Sequence, residues 1–253
     1  MLQQTQVPRV VPKYEAFLER FPTVDLCADA PLADVIGLWA GLGYNRRAVN
    51  LHRCAVEVGA SMTGAFPESL DGLLELPGIG PYTARAVLAF AYERDVGVVD
   101  TNVGRVLARW EGRSLATAEA QARADAAVPA GEGWRWNQAM FDLGSAVCSK
   151  RSPSCDSCPV KGWCRWADGG GANPDPAVGS AGVSGSQSRF EGSDRQGRGR
   201  LVNMLRRSGE VSSTALGEAA GWPGDPARAF RVAESLVADG LAAWTEAGDL
   251  TLP

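Results

Sequence analysis

Apolar residues at Leu32, Val35, Ile36 and Trp39 make an i, i+3, i+4, i+7 stripe behind Pro31, a pattern that predicts an amphipathic helix with one buried face. Ala84 to Tyr92 is apolar at almost every position, which predicts a helix buried on most sides. Val103 to Trp110 continues as a helix, and Asp100 to Asn102 supply short polar side chains suited to capping its first amides. Trp136 to Cys148 reads as a further helix that delivers the chain into a cysteine-rich loop. Few segments between Val10 and Trp166 alternate like strands, and Pro and Gly punctuate short helical runs. The pattern predicts an all-α fold for this part of the chain.

Beyond Trp166 the pattern changes. Residues 168–188 are rich in Gly, Ala, Ser, Pro and Asp and hold almost nothing that builds a core, so they are expected to form a flexible linker. A second module is expected over 189–253. Arg198 to Arg207 reads as a helix, Ser213 or Thr214 caps a short helix to Ala220, and Asp225-Pro226 starts a longer one through Ala238. Leu241 to Thr245 and Asp249 to Leu252 flank Glu246-Ala247-Gly248 and are expected to pair as a hairpin. Three helices and a hairpin in that order predict a small winged-helix-like C-terminal module. Its third helix carries only Arg228 and Arg231, so DNA contact and a packing or protein-contact role both stay open. The expected division is therefore 1–132, a helical domain; 133–167, the cysteine region; the linker; and the module.

With 253 residues and 45% apolar content, the chain is long enough for one substantial core and a small second module. It has no run of eighteen apolar residues, and Met1 to Tyr14 lacks a basic leader and an apolar h-region. No membrane partner and a cytoplasmic location are expected. The net charge of −4 suits a polyanionic partner poorly, but it is unevenly spread: Met1 to Ala167 carries 17 basic against 18 acidic residues. Cations cluster there at Arg46-Arg47, at Lys150-Arg151, and at Lys161 with Arg165. Of six cysteines, Cys27 and Cys54 lie in helix-like surroundings and read as buried free thiols.

The other four carry chemistry. Cys148, Cys155, Cys158 and Cys164 are spaced C-x6-C-x2-C-x5-C, so four soft thiolates close on one loop of seventeen residues. Such a set can hold a [4Fe-4S] cluster. Structural zinc is the rival, but zinc sites usually pair cysteines as two C-x2-C knuckles and only Cys155 and Cys158 are so paired. Upstream, Leu76-Pro77-Gly78-Ile79-Gly80-Pro81-Tyr82-Thr83 places two glycines before a proline-opened helix. Gly78 and Gly80 let backbone approach a phosphate, and the helix start aims free amides at it. This is a helix-hairpin-helix turn, which grips DNA backbone without reading sequence.

The hairpin, then Asp100, then the cysteine loop resemble the helix-hairpin-helix glycosylases of the endonuclease III-like superfamily. Met1-Leu2-Gln3-Gln4-Thr5-Gln6-Val7, Gly41-Leu42-Gly43-Tyr44, Arg47-Ala48 with Asn50-Leu51-His52, and Asn137-Gln138-Ala139-Met140 resemble the MutY-type A/G-specific adenine DNA glycosylases in particular. The likeness spans Met1 to about Trp166. It implies a base-excision repair hydrolase that cleaves the N-glycosidic bond of adenine mispaired with 8-oxoguanine or guanine in double-stranded DNA, acting as a monomer. Asp100 would be the carboxylate that stabilises an oxocarbenium-like sugar, beside its plain role as a helix cap, and Asn102 would support it. Tyr82 stands where lyase members carry a Schiff-base lysine, so base removal without efficient strand cleavage is expected. Gln4, Leu42 and Tyr44, with Thr5 alongside, would wedge around the opposing base, and Gln138 would contact the flipped adenine. The resemblance further implies a [4Fe-4S] cluster on the four cysteines, presenting Lys150, Arg151 and Lys161 to phosphate, and a monovalent cation on the carbonyls of Leu74, Leu76 and Ile79.

Two departures temper the expectation. The family's general acid is a glutamate two positions before the methionine aligned with Met1, so the 253 residues begin beyond it and little glycosylase activity is expected of them without an upstream extension. The tail is too short and wrongly patterned for the larger Nudix-like domain of typical relatives, which puts the strength of 8-oxoguanine preference in question. The rival readings are a thymine or uracil mismatch glycosylase of the same superfamily and a noncatalytic iron-sulfur DNA-binding protein.

Overall fold

The computed structural model describes residues 1–3, 5–61, 64–171, 173–180 and 189–253. Gln4 therefore lies outside the described residues, as do 181–188 of the expected linker. Four helices come first: α1 (Val7–Arg20), α2 (Val24–Ala28), α3 (Leu32–Leu38) and α4 (Arg46–Ala60). The middle of the chain forms α5 (Leu70–Glu75), α6 (Pro81–Phe90), α7 (Thr101–Glu111), α8 (Thr117–Ala127), α9 (Gly133–Asp142) and the short α10 (Arg165–Asp168). A C-terminal group follows: α11 (Asp194–Ser208), β1 (Glu210–Val211), α12 (Leu216–Ala220), α13 (Pro226–Ala238), β2 (Ala243–Trp244) and β3 (Leu250–Thr251). No helix among the described residues is long and apolar enough to cross a membrane.

The chain folds as two compact units. The first takes Met1–Phe66, Leu76–Gly78 and the chain from Gln187 to Pro253, so it is discontinuous in sequence. Its core shows why: Val35, Ile36, Val49 and Trp39 share one apolar cluster with Leu201, Leu205, Val232 and Leu236. The apolar stripe predicted for residues 31–39 is thus buried at Val35, Ile36 and Trp39, the first two completely, while Leu32 packs half-buried against the same core. Each fully buried Leu or Ile side chain of this kind contributes roughly 1.5–3 kcal/mol of transfer free energy. Cys27 and Cys54 are buried free thiols in this unit, and burial pushes both above the usual thiol range.

The C-terminal module has three helices and a three-stranded antiparallel sheet ordered β1-β3-β2. The expected hairpin is β2 and β3, shorter than its apolar pattern allowed, with Ala243 opposite Thr251 and Trp244 opposite Leu250. The third strand, β1, was not expected. It is two residues long, too short to show a period, and it exists because Glu210 and Val211 meet Thr251 and Leu250 across the sheet. Asp225 caps α13 by accepting from the Arg228 amide at 3.0 Å, and Pro226 holds the first helical position.

The second unit takes Pro67–Glu75 and Ile79–Ser186. Val103, Val106 and Leu107 of α7 pack with Leu115, Ala120, Ala124 and Met140. Central α7 starts at Asp100, whose side chain accepts from the amides of Asn102 and Val103, and stops at Gly112, in the left-handed region at φ 68°. The predicted Trp136–Cys148 helix is α9 up to Asp142, then a wide turn over Leu143–Val147 in which the Cys148 amide reaches the Leu143 carbonyl at 2.7 Å.

Part of the expected linker is held in place. Asp175 forms a bidentate ion pair with buried Arg109, and Ala177 and Ser180 are buried. The Ser180 hydroxyl accepts from the Leu115 amide at 3.2 Å and donates to the Pro176 carbonyl at 2.7 Å. Composition does not reveal such anchoring, because it depends on one acid meeting one buried guanidinium rather than on an apolar face.

Candidate active site

The turn between α5 and α6 uses its two glycines differently. Gly78 has φ 77°, a conformation that side chains rarely adopt, and a Cβ there would come 2.5 Å from the Asn50 Cβ. Gly80 has φ −97° and open space around it, so its place is set by capping α6 rather than by strain. Pro81 then opens α6, which leaves the first-turn amides without helical acceptors, as an anion site needs.

Asp100 is half-buried ahead of α7. Its Oδ1 accepts from the Asn102 and Val103 amides at 2.8 and 2.7 Å, while Oδ2 faces the Asn102 side-chain amide at 3.3 Å. Capping thus occupies one oxygen more fully than the other. Tyr82, 39% exposed near the start of α6, is close enough to feel this carboxylate. Burial first and the Asp100 charge second push its phenol above the usual range, so it stays protonated at neutral pH. The sequence-predicted trio of Asp100, Tyr82 and Asn102 is therefore brought together.

Arg105 extends that group. It is 6% exposed, and it donates to the Asn102 Oδ1 at 3.0 Å, the Cys148 carbonyl at 2.7 Å and the Gly144 carbonyl at 2.5 Å. Gly144 permits the approach, since a Cβ there would sit 2.8 Å from the Asn102 Cβ. An open pocket of about 430 Å³ lies beside these groups, lined by Thr101, Asn102, Arg105, Ser145 and Lys150 among others. Gln138 is half-buried on α9, whereas its neighbour Asn137 is 2% exposed. Asn137 accepts from the Val98 amide and donates to the carbonyls of Val96 and Gly133, all at 2.8 Å. It thereby fixes the extended segment that leads into Asp100.

Cys148, Cys155, Cys158 and Cys164 line one small cavity with Arg109, Lys161 and Trp166. Burial, followed by the charges of Cys148, Cys164 and Cys158, pushes the Cys155 thiol above the usual range. No three His, Cys, Asp or Glu of the described residues stand close enough to share a single metal ion. Four soft thiol donors around one cavity are a set whose chemistry suits an iron-sulfur cluster. Arg109 guards this loop: it donates to the Cys148 sulfur at 3.3 Å, the Ser149 carbonyl at 2.8 Å and the Lys150 carbonyl at 3.2 Å. Burial alone would lower its pKa, but the hydrogen bonds and charges of Asp175 and Cys148 more than offset this and raise it. Lys150 and Arg151 are exposed, and Lys161 pairs with Asp156 at 2.7 Å.

The remaining predicted residues lie in the first unit. Thr5 donates to the Leu42 carbonyl at 3.1 Å. Arg47 donates to Thr5, to the Leu42 and Gly43 carbonyls at 3.3 and 3.2 Å, and to the Gln3 carbonyl at 2.8 Å. Its guanidinium also lies near the Trp39 and Tyr44 rings, at 5.3 and 5.7 Å from their centroids. Tyr44 is 48% exposed and takes φ 47°, one of two non-glycine residues in the left-handed region among those described. Leu42, expected to wedge alongside it, is only 3% exposed and belongs to the core, because the turn that exposes Tyr44 points its neighbour inward. Nothing in the local sequence assigns a role to Arg105, Arg109 or Asn137. A buried arginine on an apolar helix face was the one signal available for the first two.

Residues 1–129 match the HhH-GPD superfamily base excision DNA repair protein family. The chain is 41% identical to an adenine DNA glycosylase of Mycolicibacterium smegmatis over its whole length, covering 84% of that protein, and 40% identical to one of Mycobacterium tuberculosis, covering 83%. The human adenine DNA glycosylase is 38% identical over 65% of the chain and is itself covered to 32%. The C-terminal module is thus shared with the mycobacterial relatives. Among solved structures, a trapped endonuclease III-DNA covalent intermediate aligns with 68% of the chain and 82% of its own at TM-score 0.60 and 25% identity. A thermostable thymine-DNA glycosylase aligns with 66% of the chain and 80% of its own at TM-score 0.61 and 25% identity.

Proposed function

Since the chain belongs to the HhH-GPD superfamily of base excision DNA repair proteins, with adenine DNA glycosylases as its relatives, we propose that it hydrolyses the N-glycosidic bond of adenine mispaired with 8-oxoguanine or guanine in double-stranded DNA. The observation that carries the reading is the Asp100 carboxylate, held by its cap and by Asn102 and near enough for its charge to raise the Tyr82 phenol. As adenine departs with the bonding electron pair, positive charge develops on the sugar and the carboxylate stabilises it. Water then adds at the sugar C1′, and the proton it loses goes to the departed adenine, which leaves as the neutral base. Asn102 fixes the carboxylate, and Arg105 fixes Asn102. A phenol at Tyr82 forms no imine, so the sugar is released by water and the strand is not cut by β-elimination.

The hairpin around Gly78 and Gly80 grips phosphate, Gln138 reads the extruded base, and Tyr44 rather than Leu42 enters the stack, with Gln4 and Thr5 at the same edge. Cys148, Cys155, Cys158 and Cys164 would hold a [4Fe-4S] cluster. Held by these four thiolates, such a cluster would tie together the loop on which Lys150 and Arg151 stand exposed to meet the DNA backbone.

The test is single-turnover base release from duplexes with adenine opposite 8-oxoguanine and thymine opposite guanine. It is run on this chain and on a version lengthened upstream with the corresponding segment of the M. smegmatis relative. Adenine release by the lengthened version, reduced at least about a hundredfold by Asp100→Asn, supports the proposal. Asparagine still caps a helix, so the variant's stability should stay within about 0.5 kcal/mol. Release of thymine instead, or binding without release by both versions, sinks it.

A further inference from the structure

The C-terminal module reaches the Tyr44 loop through one side chain. Arg206, on the last turn of α11, donates from Nε and Nη2 to the Ile36 carbonyl at 3.0 and 2.8 Å. Nη2 also donates to the Asn45 side-chain oxygen at 3.0 Å, and Nη1 to Asn203 at 3.1 Å. Ile36 lies in the final turn of α3, where carbonyls run out of helical partners; the Ala40 amide bonds Gly37 instead, at 3.1 Å. A guanidinium there closes the helix that leads into Gly41-Leu42-Gly43-Tyr44. Asn45 is the residue immediately after Tyr44, so Arg206 holds both flanks of the loop.

A second pin lies next to the first. Asp239, just past α13, pairs with Arg198 of α11 at 2.5 Å and with Arg46, the first residue of α4, at 3.4 Å. The loop needs such support, since a non-glycine residue at φ 47° persists only where its surroundings impose it. Arg47 holds the loop from the N-terminal segment, and Arg206 and Asp239 hold it from the module. Arg206 has no carboxylate partner among the described residues, and burial draws its pKa down to about 10, so it remains charged at neutral pH. An apolar side chain would fill the same contact at lower cost. Of the three oxygens it serves, the Ile36 carbonyl and the Asn45 side-chain oxygen belong to the loop's flanks, and only that of Asn203 lies on its own helix.

We propose that the C-terminal module is a brace for the Gly41–Tyr44 loop and that Arg206 is a positioning residue for Tyr44, setting how strongly the protein distinguishes the base opposite the excised adenine. This rests on the reading of Tyr44 as the residue that enters the duplex. Without Arg206 the loop keeps only its Arg47 and Asp239 supports, and the Tyr44 backbone leaves its left-handed conformation more readily. The loss falls on discrimination rather than on general affinity, because phosphate contacts elsewhere carry the latter.

The experiment uses the full chain and two duplexes, with 8-oxoguanine or guanine opposite a noncleavable abasic-site analogue. Arg206→Met keeps the stem and removes the donors, and Asn45→Ala removes one acceptor while leaving Ile36 served. Each variant should narrow the ratio of the two affinities, Arg206→Met by roughly tenfold, as expected for lost hydrogen bonds to a charged donor. Affinity for undamaged duplex should hold to within about twofold. Backbone hydrogen exchange should quicken in residues 40–46 and not in α13. An unchanged ratio in folded Arg206→Met overturns the brace, and if that variant does not fold, an unchanged ratio in Asn45→Ala does so. Tyr44→Ala with an unaltered ratio overturns the underlying reading of Tyr44 instead.

Discussion

Asp175 and Arg109 face each other as a fork: Nε meets Oδ1 at 3.1 Å and Nη2 meets Oδ2 at 2.6 Å, with only 2% of the arginine side chain exposed. The same guanidinium bonds the Cys148 sulfur and stacks near the Trp166 ring, 4.6 Å from its centroid. A residue from a stretch without a core of its own therefore neutralises the cation that orders the cysteine loop.

Asp175→Asn should cost about 2–4 kcal/mol, since removing one partner of a largely buried pair leaves the other charge uncompensated. Urea denaturation measures it, and no loss would show the pair to be idle. The pair also sets an acid limit. The Asp175 carboxyl is raised by burial but lowered further by Arg109, and its net direction is down. Its stabilisation is thus complete above the ordinary carboxylate pKa of about 4 and disappears as pH falls below it. The wild-type chain should lose stability more steeply than Asp175→Asn on acidification through that range.

Tyr82 reports on Asp100. The phenol is raised first by burial and then by the carboxylate charge, so Asp100→Asn should bring its titration part of the way back toward 10. An ultraviolet difference titration, with Tyr82→Phe to assign the signal, follows this directly. An unmoved midpoint would separate the two groups.

Asn137→Ala leaves the Val98 amide and the carbonyls of Val96 and Gly133 without their partner in a buried place. The expected cost is about 2–4 kcal/mol, from more than one unsatisfied group. Adenine release should fall as well, because the segment that carries Asp100 loses its anchor. Gln138→Ala should instead leave stability within about 0.5 kcal/mol, as for a residue that is not buried.

The cysteine loop should bind four irons and four sulfides per chain, and Cys155→Ser should lower both with a loss of thermal stability. Iron and sulfide analysis decides it; one zinc and no sulfide would overturn the assignment.

Local pattern alone determined much of this protein. The stripe at Leu32, Val35, Ile36 and Trp39, the cap at Asp100, the proline starts of α6 and α13, and the Gly78 turn are all set by residues within about two helical turns of each other, so they are legible without the fold. The spacing of the four cysteines was likewise enough to place them around one cavity. Tertiary structure decided what depends on partners far apart in the chain: Asp175 on Arg109, Asn137 on Val98, Arg206 on Ile36 and Asn45, and β1 on β3. It also turned Leu42 into the core while leaving its neighbour Tyr44 in solvent. Periodicity tells which face of an element is apolar, but a single buried hydrogen bond or ion pair leaves no period, and only the meeting of the two segments reveals it.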